Sequence, residues 1–302
     1  MHKKNLYYAT AFVTTALLAA SPSYAEGRLE KIKSTGEISI GHRDTSIPFS
    51  YLDDAQNPIG YSLDICLGVV ESIKEKLGIP DIKVKYVPVT SSTRIPLVAN
   101  GTVDLVCGSS TNTTERQVQV DFAPTTFITA TRFLAKKSSD VNKLDDFKGK
   151  TIVSTAGTSN IRWATGVNEA EKLNMNIIPT KDHAEALLTV ENGRALAFFM
   201  DDILLAGLVA TSRNPDEWMI SKDAYTVEPY AIMEPKNDPE FKEVVDTAIV
   251  DMMKDGTIET LYNKWFESPI PPKNVNLNWP MGEQLKRALQ NPSDSADPDH
   301  YK

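Results

Sequence analysis

The chain has 302 residues, with 32 Lys+Arg against 40 Asp+Glu and a formal charge of −8. Hydrophobic residues make up 41% and charged residues 24%, a globular composition at the length of about two domains, which excludes a disordered chain, a collagen-like repeat and a polytopic membrane protein. The acidic balance also disfavours sequence-independent nucleic-acid binding, where basic residues must neutralise phosphates.

The chain opens on His2-Lys3-Lys4, then runs apolar from Leu6 to Ala20 and closes that segment with Ser21-Pro22-Ser23-Tyr24-Ala25. Small residues at Ser23 and Ala25 suit cleavage, so residues 1–25 read as a secretory signal peptide. The apolar run falls short of the roughly 20 residues that span a bilayer. Glu26, not a cysteine, follows the cut, so no lipid anchor is expected. Cleavage removes Lys3, Lys4 and no acid, which leaves −10. Export would place Cys66 and Cys107 in an oxidising compartment. They form either one bridge or two buried thiols, because sequence does not supply their Cα separation.

Beyond the leader, strand and helix patterns alternate. Residues 37–41 predict a strand and 62–77 a helix, with Leu63, Cys66, Leu67, Val70 and Ile73 at helical spacing. Residues 83–87 alternate as a strand, 93–100 form a short helix stopped by Gly101, and 103–107 form a buried strand. The cycle restarts at Thr131: strands at 132–135, 151–154, 175–178 and 195–200, with helices from Ser159, over 184–192 and from Asp202. A strand at 230–233 and helices over 239–254 and 257–266 complete the pattern. Two series of strand–helix units imply two α/β lobes with mostly parallel sheets. Residues 269–281 carry four prolines, and the polar, patternless 291–302 reads as a disordered tail.

Enzyme signatures are missing. The chain has no His-Glu-x-x-His, no Gly-x-Ser-x-Gly and no Gly-x-Gly-x-x-Gly, and Leu144 stands where a phosphate loop ending in Gly149-Lys150-Thr151 would need glycine. No Cys or His spacing suits a metal, so neither metal nor cofactor is expected. Polar clusters follow the predicted strands instead: His42-Arg43-Asp44, Ser91-Ser92-Thr93-Arg94, Gly108 to Arg116, Thr155 to Ser159, and Asp201-Asp202. Ligands of open α/β sheets bind beyond the carboxyl ends of strands, so these clusters would line one cleft.

The stretches 41–51, 90–97, 107–116, Lys181-Asp182-His183, Phe199-Met200-Asp201-Asp202, Lys264-Trp265-Phe266 and Pro269-Ile270-Pro271-Pro272-Lys273 carry a resemblance. The chain resembles periplasmic solute-binding proteins of amino-acid ABC transporters (solute-binding protein family 3), and more narrowly the glutamate/aspartate-binding ones. The resemblance implies the two-lobe, type II periplasmic-binding-protein fold with two crossing hinge strands, near Ala123–Thr129 and Ala224–Pro229. Lobe one would be residues 26–125 plus 229–302, and lobe two 130–224. It also implies a monomeric periplasmic protein, not an enzyme, that closes on an acidic amino acid and docks on an inner-membrane permease.

Each carried-over residue has a chemical reason. Arg116 offers a bidentate fork to the ligand α-carboxylate, with Ser109 and Thr111 beside it. Thr155 and Thr158 flank a strand-to-helix turn whose free N–H groups favour an anion, or are plain caps. Asp201 would pair the α-ammonium, or cap the next helix. Arg43 and Arg94 exceed what a neutral amino acid needs and point to a side-chain carboxylate, supported by Ser91 and by His183 from the second lobe. The alternatives are a binder of a neutral or amide amino acid such as glutamine, and a dehydratase-like secreted enzyme on the same fold. The 230–233 segment, where related proteins often keep a cysteine, has none here.

Overall fold

The computed structural model describes residues 27–302, so the expected signal peptide lies outside the described residues. Two five-stranded sheets form the frame. In the first, the spatial order is Lys83–Pro88, Glu37–His42, Leu105–Val106, Met233–Pro235, Val120–Phe122; in the second it is Asn176–Thr180, Thr151–Thr155, Ala197–Asp201, Thr131–Lys136, Trp218–Ile220. Each sheet has its fourth strand antiparallel to both neighbours and the first three parallel. Mostly parallel sheets need long crossovers, and helices supply them. Helix Tyr61–Leu77 buries Leu63, Cys66, Val70 and Ile73 on the spacing read from sequence but leaves Leu67, expected on the same face, exposed, and Gly78 ends it at φ 67°.

Two short strands join the sheets. Phe127–Thr129 pairs antiparallel with Glu228–Tyr230, Glu228 opposite Thr129 and Tyr230 opposite Phe127. Each crossing leads directly into the antiparallel strand of the sheet it enters, Thr131–Lys136 or Met233–Pro235. The predicted 230–233 strand is therefore two: Tyr230 belongs to the crossing and Met233 to the sheet, with Ala231-Ile232 between. Buried rings fix the crossing to lobe one. Phe127 packs 4.9 Å from both Phe49 and Phe266, and Tyr230 lies 5.2 Å from Phe49. Such pairs add about 0.5–1.5 kcal/mol beyond area burial.

Cys66 and Cys107 form a disulfide with a Cα–Cα separation of 6.2 Å, so the open alternative resolves to a bridge. It closes a loop of 41 residues, for which chain entropy alone gives about 4 kcal/mol. The bridge also ties helix Tyr61–Leu77 to the start of the Gly108–Arg116 loop.

The tail differs from its expectation of disorder. Thr125 N–H donates to the Ser293 carbonyl at 2.9 Å, Asn112 Nδ2 donates to the Asp294 carbonyl at 2.8 Å, and the Tyr301 hydroxyl meets Thr125 Oγ1 at 2.8 Å. Lys242 adds an ion pair to Asp294 at 3.2 Å. Polar composition hid this because the segment is held by hydrogen bonds and one buried ring, not by an apolar stripe. Helix Arg28–Thr35, helix Glu283–Gln290 and the small sheet of Thr45–Ser46, Ser50–Leu52 and Pro58–Ile59 also lie outside the predicted elements. No helix among the described residues is long and apolar enough to cross a membrane.

Candidate functional site

Strand ends of the two sheets meet around a small polar cleft, a cavity of about 10 Å³. Ser91, Arg94, Ser109 and Thr111 reach it from the first sheet; Thr158, His183 and Asp201 reach it from the second. All ten sequence-predicted residues are buried: these seven plus Arg43, Arg116 and Thr155. A broader depression lined by Lys136, Lys150 and Arg194 lies at the far end of lobe two and contains no buried unpartnered side-chain atom.

Arg43, Arg94 and Arg116 are each no more than 2% exposed. Buried charges ordinarily pair with opposite charge. These do not: the arginine ion pairs among the described residues belong to Arg28, Arg132 and Arg162. Arg94 Nη1 donates to the Ser109 carbonyl at 2.8 Å and to Ser110 Oγ at 2.9 Å, which fixes its plane and leaves Nε unpartnered. Arg116 Nη1 donates to the Thr111 carbonyl at 2.7 Å and Nη2 to the Gly157 carbonyl of the other lobe at 3.2 Å, again leaving Nε unpartnered. Arg43 is held through its backbone N–H on Ser50 Oγ at 2.8 Å, and its Nη1 is unpartnered. Gly108 makes room for it, since a Cβ there would lie 2.9 Å from Arg43 Cγ. Burial lowers Arg43 to about 10, and burial with repulsion from Arg116 and Arg43 lowers Arg94 well below the ordinary guanidinium value. Guanidinium stays protonated at neutral pH, so the cluster holds three positive charges at a free-energy cost.

The second lobe contributes the complementary groups. His183 is buried at the start of helix His183–Glu191; its Nδ1 meets Thr155 Oγ1 at 2.8 Å and its Nε2 is unpartnered. Burial, then Arg43 and Arg94, push its basicity well down, so the imidazole is neutral. Thr155 thus positions His183 instead of facing the cavity. Thr158 serves both readings: it lines the cavity, and its Oγ1 accepts from Ile161 N–H at 3.2 Å as the cap of helix Ser159–Ala170. Asp201 occupies the N-cap position of helix Asp202–Thr211 yet makes no side-chain cap. Its Oδ1 accepts from Asn160 Nδ2 at 2.7 Å and its Oδ2 from the Tyr230 hydroxyl. Burial, reinforced by Glu228, raises Asp201 to about 8.

Three participants were not found from sequence. Asn160 and Tyr230 hold Asp201, and Glu228 accepts from Ser159 Oγ at 2.7 Å. Asn160 sits in the first turn of helix Ser159–Ala170 and the other two sit on the crossing strand, so no strand-end rule marks them. The lobes also touch directly. Thr111 Oγ1 meets Ser159 Oγ at 3.2 Å, and Glu115 pairs with Arg162 at 3.0 Å. Gly157, at φ 77°, lies so close to Ser92 that a Cβ would stand 2.7 Å from its backbone nitrogen.

Two lobes linked by paired crossings, closed on a small polar cavity with unpartnered donors from both sides, define a two-lobe ligand-binding protein. The family model for bacterial extracellular solute-binding proteins, family 3, matches residues 38–268, and the chain belongs to that family. The L-glutamate/L-aspartate-binding protein of Pseudomonas aeruginosa is 49% identical over 95% of this chain and 98% of its own. The glutamate/aspartate import solute-binding protein of Salmonella typhimurium is 44% identical over 94% and 98%. Among solved structures, the solute receptor for L-cysteine of Neisseria gonorrhoeae superposes with a TM-score of 0.69 at 25% identity, covering 82% of this chain and 96% of that one. Both curated relatives are named for binding glutamate and aspartate.

Proposed function

We propose that this protein captures an acidic amino acid, L-glutamate or L-aspartate, between its lobes in the periplasm and delivers it to the membrane permease of an ABC importer. One observation supports the reading: three guanidinium groups are buried without a carboxylate partner, each with an unpartnered nitrogen, and Arg94 among them lines the cavity. A ligand with two carboxylates supplies what they lack. Arg116, with Ser109 and Thr111, takes the α-carboxylate. Arg43 and Arg94, with Ser91 and the Nε2–H of His183, take the side-chain carboxylate. Asp201 receives the α-ammonium on lone pairs that Asn160 and Tyr230 leave free. The names of the two close relatives support the ligand class and the import role.

Closure follows from the same contacts. Lobe one carries the arginines, lobe two carries His183 and Asp201, and a ligand that touches both stabilises the closed state over the open one. A neutral side chain would leave Arg43 and Arg94 buried without compensation, so selectivity comes from a penalty on the wrong ligand as much as from attraction to the right one.

A thermal-shift panel of amino acids tests the proposal, because a ligand that binds the native state raises Tm by mass action. Glutamate and aspartate should shift the transition, and lysine and leucine should not. A larger shift with glutamine than with either acid would sink the acidic assignment. Conversion of glutamate into any product would overturn the non-enzymatic reading.

A further inference from the structure

The Pro269–Lys273 segment belongs to no ligand contact, yet it crosses between lobes. Strands Pro269–Ile270 and Val275–Asn276 form a short hairpin on lobe one. Ile270 is buried, its strand packs against helix Thr257–Phe266, and the Tyr51 hydroxyl donates to the Pro271 carbonyl at 2.8 Å, so the hairpin's base is fixed. Its tip presents Lys273, whose Nζ donates to the carbonyls of Thr211 at 2.6 Å and Ser212 at 3.2 Å. Those carbonyls end helix Asp202–Thr211 of lobe two, the helix that starts beside Asp201.

A helix leaves its last carbonyls without intrahelical partners, and that end carries partial negative charge. A basic residue in the helix's own last turn can meet this need. Helix Asp202–Thr211 has none, so the cation comes from the other lobe. The same helix also touches lobe one through Gly207, where a Cβ would lie 2.7 Å from the Ile47 carbonyl oxygen. Both contacts join groups on opposite lobes.

We infer that Lys273 is a closure latch: a positioning residue, outside the ligand cavity, that stabilises the closed form by capping the opposite lobe's helix and so sets affinity without reading the ligand. The inference rests on the two-lobe capture proposed above. The contact is exposed, which limits its size.

The test compares wild type with Lys273→Met, which keeps the apolar stem, and Lys273→Arg, which keeps the charge. Glutamate Kd for the Met variant should rise about two- to fivefold through faster dissociation, with the ratio of glutamate to glutamine affinity unchanged and the Arg variant close to wild type. An unchanged Kd, or an altered ratio, would overturn the latch. A second readout needs no ligand: nitroxide labels at Lys76→Cys and Glu171→Cys, both exposed and one on each lobe, report the interlobe distance. The Met variant should lower the closed fraction of the unliganded protein, and identical distance distributions would contradict the latch. Loss of glutamate binding in wild type itself would instead refute the capture reading, and the distance measurement would still decide the latch.

Discussion

Three buried guanidinium groups that repel one another set the energetic problem of this molecule at the scale of the residue. Each unpartnered nitrogen forgoes a charge-assisted hydrogen bond of about 1.5–3 kcal/mol. Truncating Arg94, whose plane is fixed by Ser109 and Ser110, should therefore cost roughly 10- to 150-fold in glutamate affinity. Arg94→Met should weaken glutamine less, and equal losses by calorimetry would mean that Arg94 reads no side-chain charge. Asp201 adds a pH dependence whose sign can be worked out. Burial in the closed cleft raises its carboxyl to about 8, which favours the protonated form there as pH falls toward neutral. Pairing with an ammonium needs the carboxylate, so binding must release that proton. Affinity should fall as pH drops from 8 to 6, by at most about tenfold per unit, and Asp201→Asn should flatten the profile while weakening binding throughout. A wild-type profile flat across that window would contradict an ammonium on Asp201. The residues named from sequence were those in polar clusters after predicted strands and in the stretches that carry the family resemblance. Asn160, Glu228 and Tyr230 were not among them, because their roles come from the docking of a helix and a crossing strand against Asp201, which no local pattern encodes.

At the scale of elements, strand-to-loop junctions do the positioning. The Cys66–Cys107 bridge and the Ser62 Oγ–Gly108 carbonyl bond at 3.2 Å anchor the loop that carries Ser109, Thr111 and Arg116. Gly157 matters for closure: its left-handed φ of 77° disfavours any side chain, and its approach to Ser92 leaves no room for one. Gly157→Ala should weaken glutamate at least tenfold while the unliganded Tm falls by only a few degrees, since the clash with Ser92 arises on closing. Unchanged affinity, measured by calorimetry, would show that the lobes close by another path. Helices with strong periodicity and clear ends were legible to the residue, as in Pro239–Lys254 and Thr257–Phe266. The three-stranded sheet at Thr45–Ile59 was not, because strands of two or three residues show no alternation and are specified by pairing partners.

The whole molecule is two lobes that exchange chain twice, so that lobe one is completed by residues far apart in sequence. Reading that interleaving depended on resemblance, because composition and periodicity give element types without saying which sheet each joins. The C-terminal segment illustrates the limit: a polar stretch with no apolar period packs through Ser293 and Tyr301 onto Thr125, and through Asp294 onto Asn112 in the loop that bears Thr111 and Arg116. Net charge was equally uninformative about the ligand. A chain of −8 buries three arginines together, and local charge decides what the cleft accepts. The most direct measurement of that claim is calorimetric titration of unfolded and refolded, ligand-free protein with glutamate and with glutamine under the same buffer. Saturable binding of glutamate at one per chain, at least 100-fold tighter than glutamine, is the predicted result; equal or tighter binding of glutamine would contradict it.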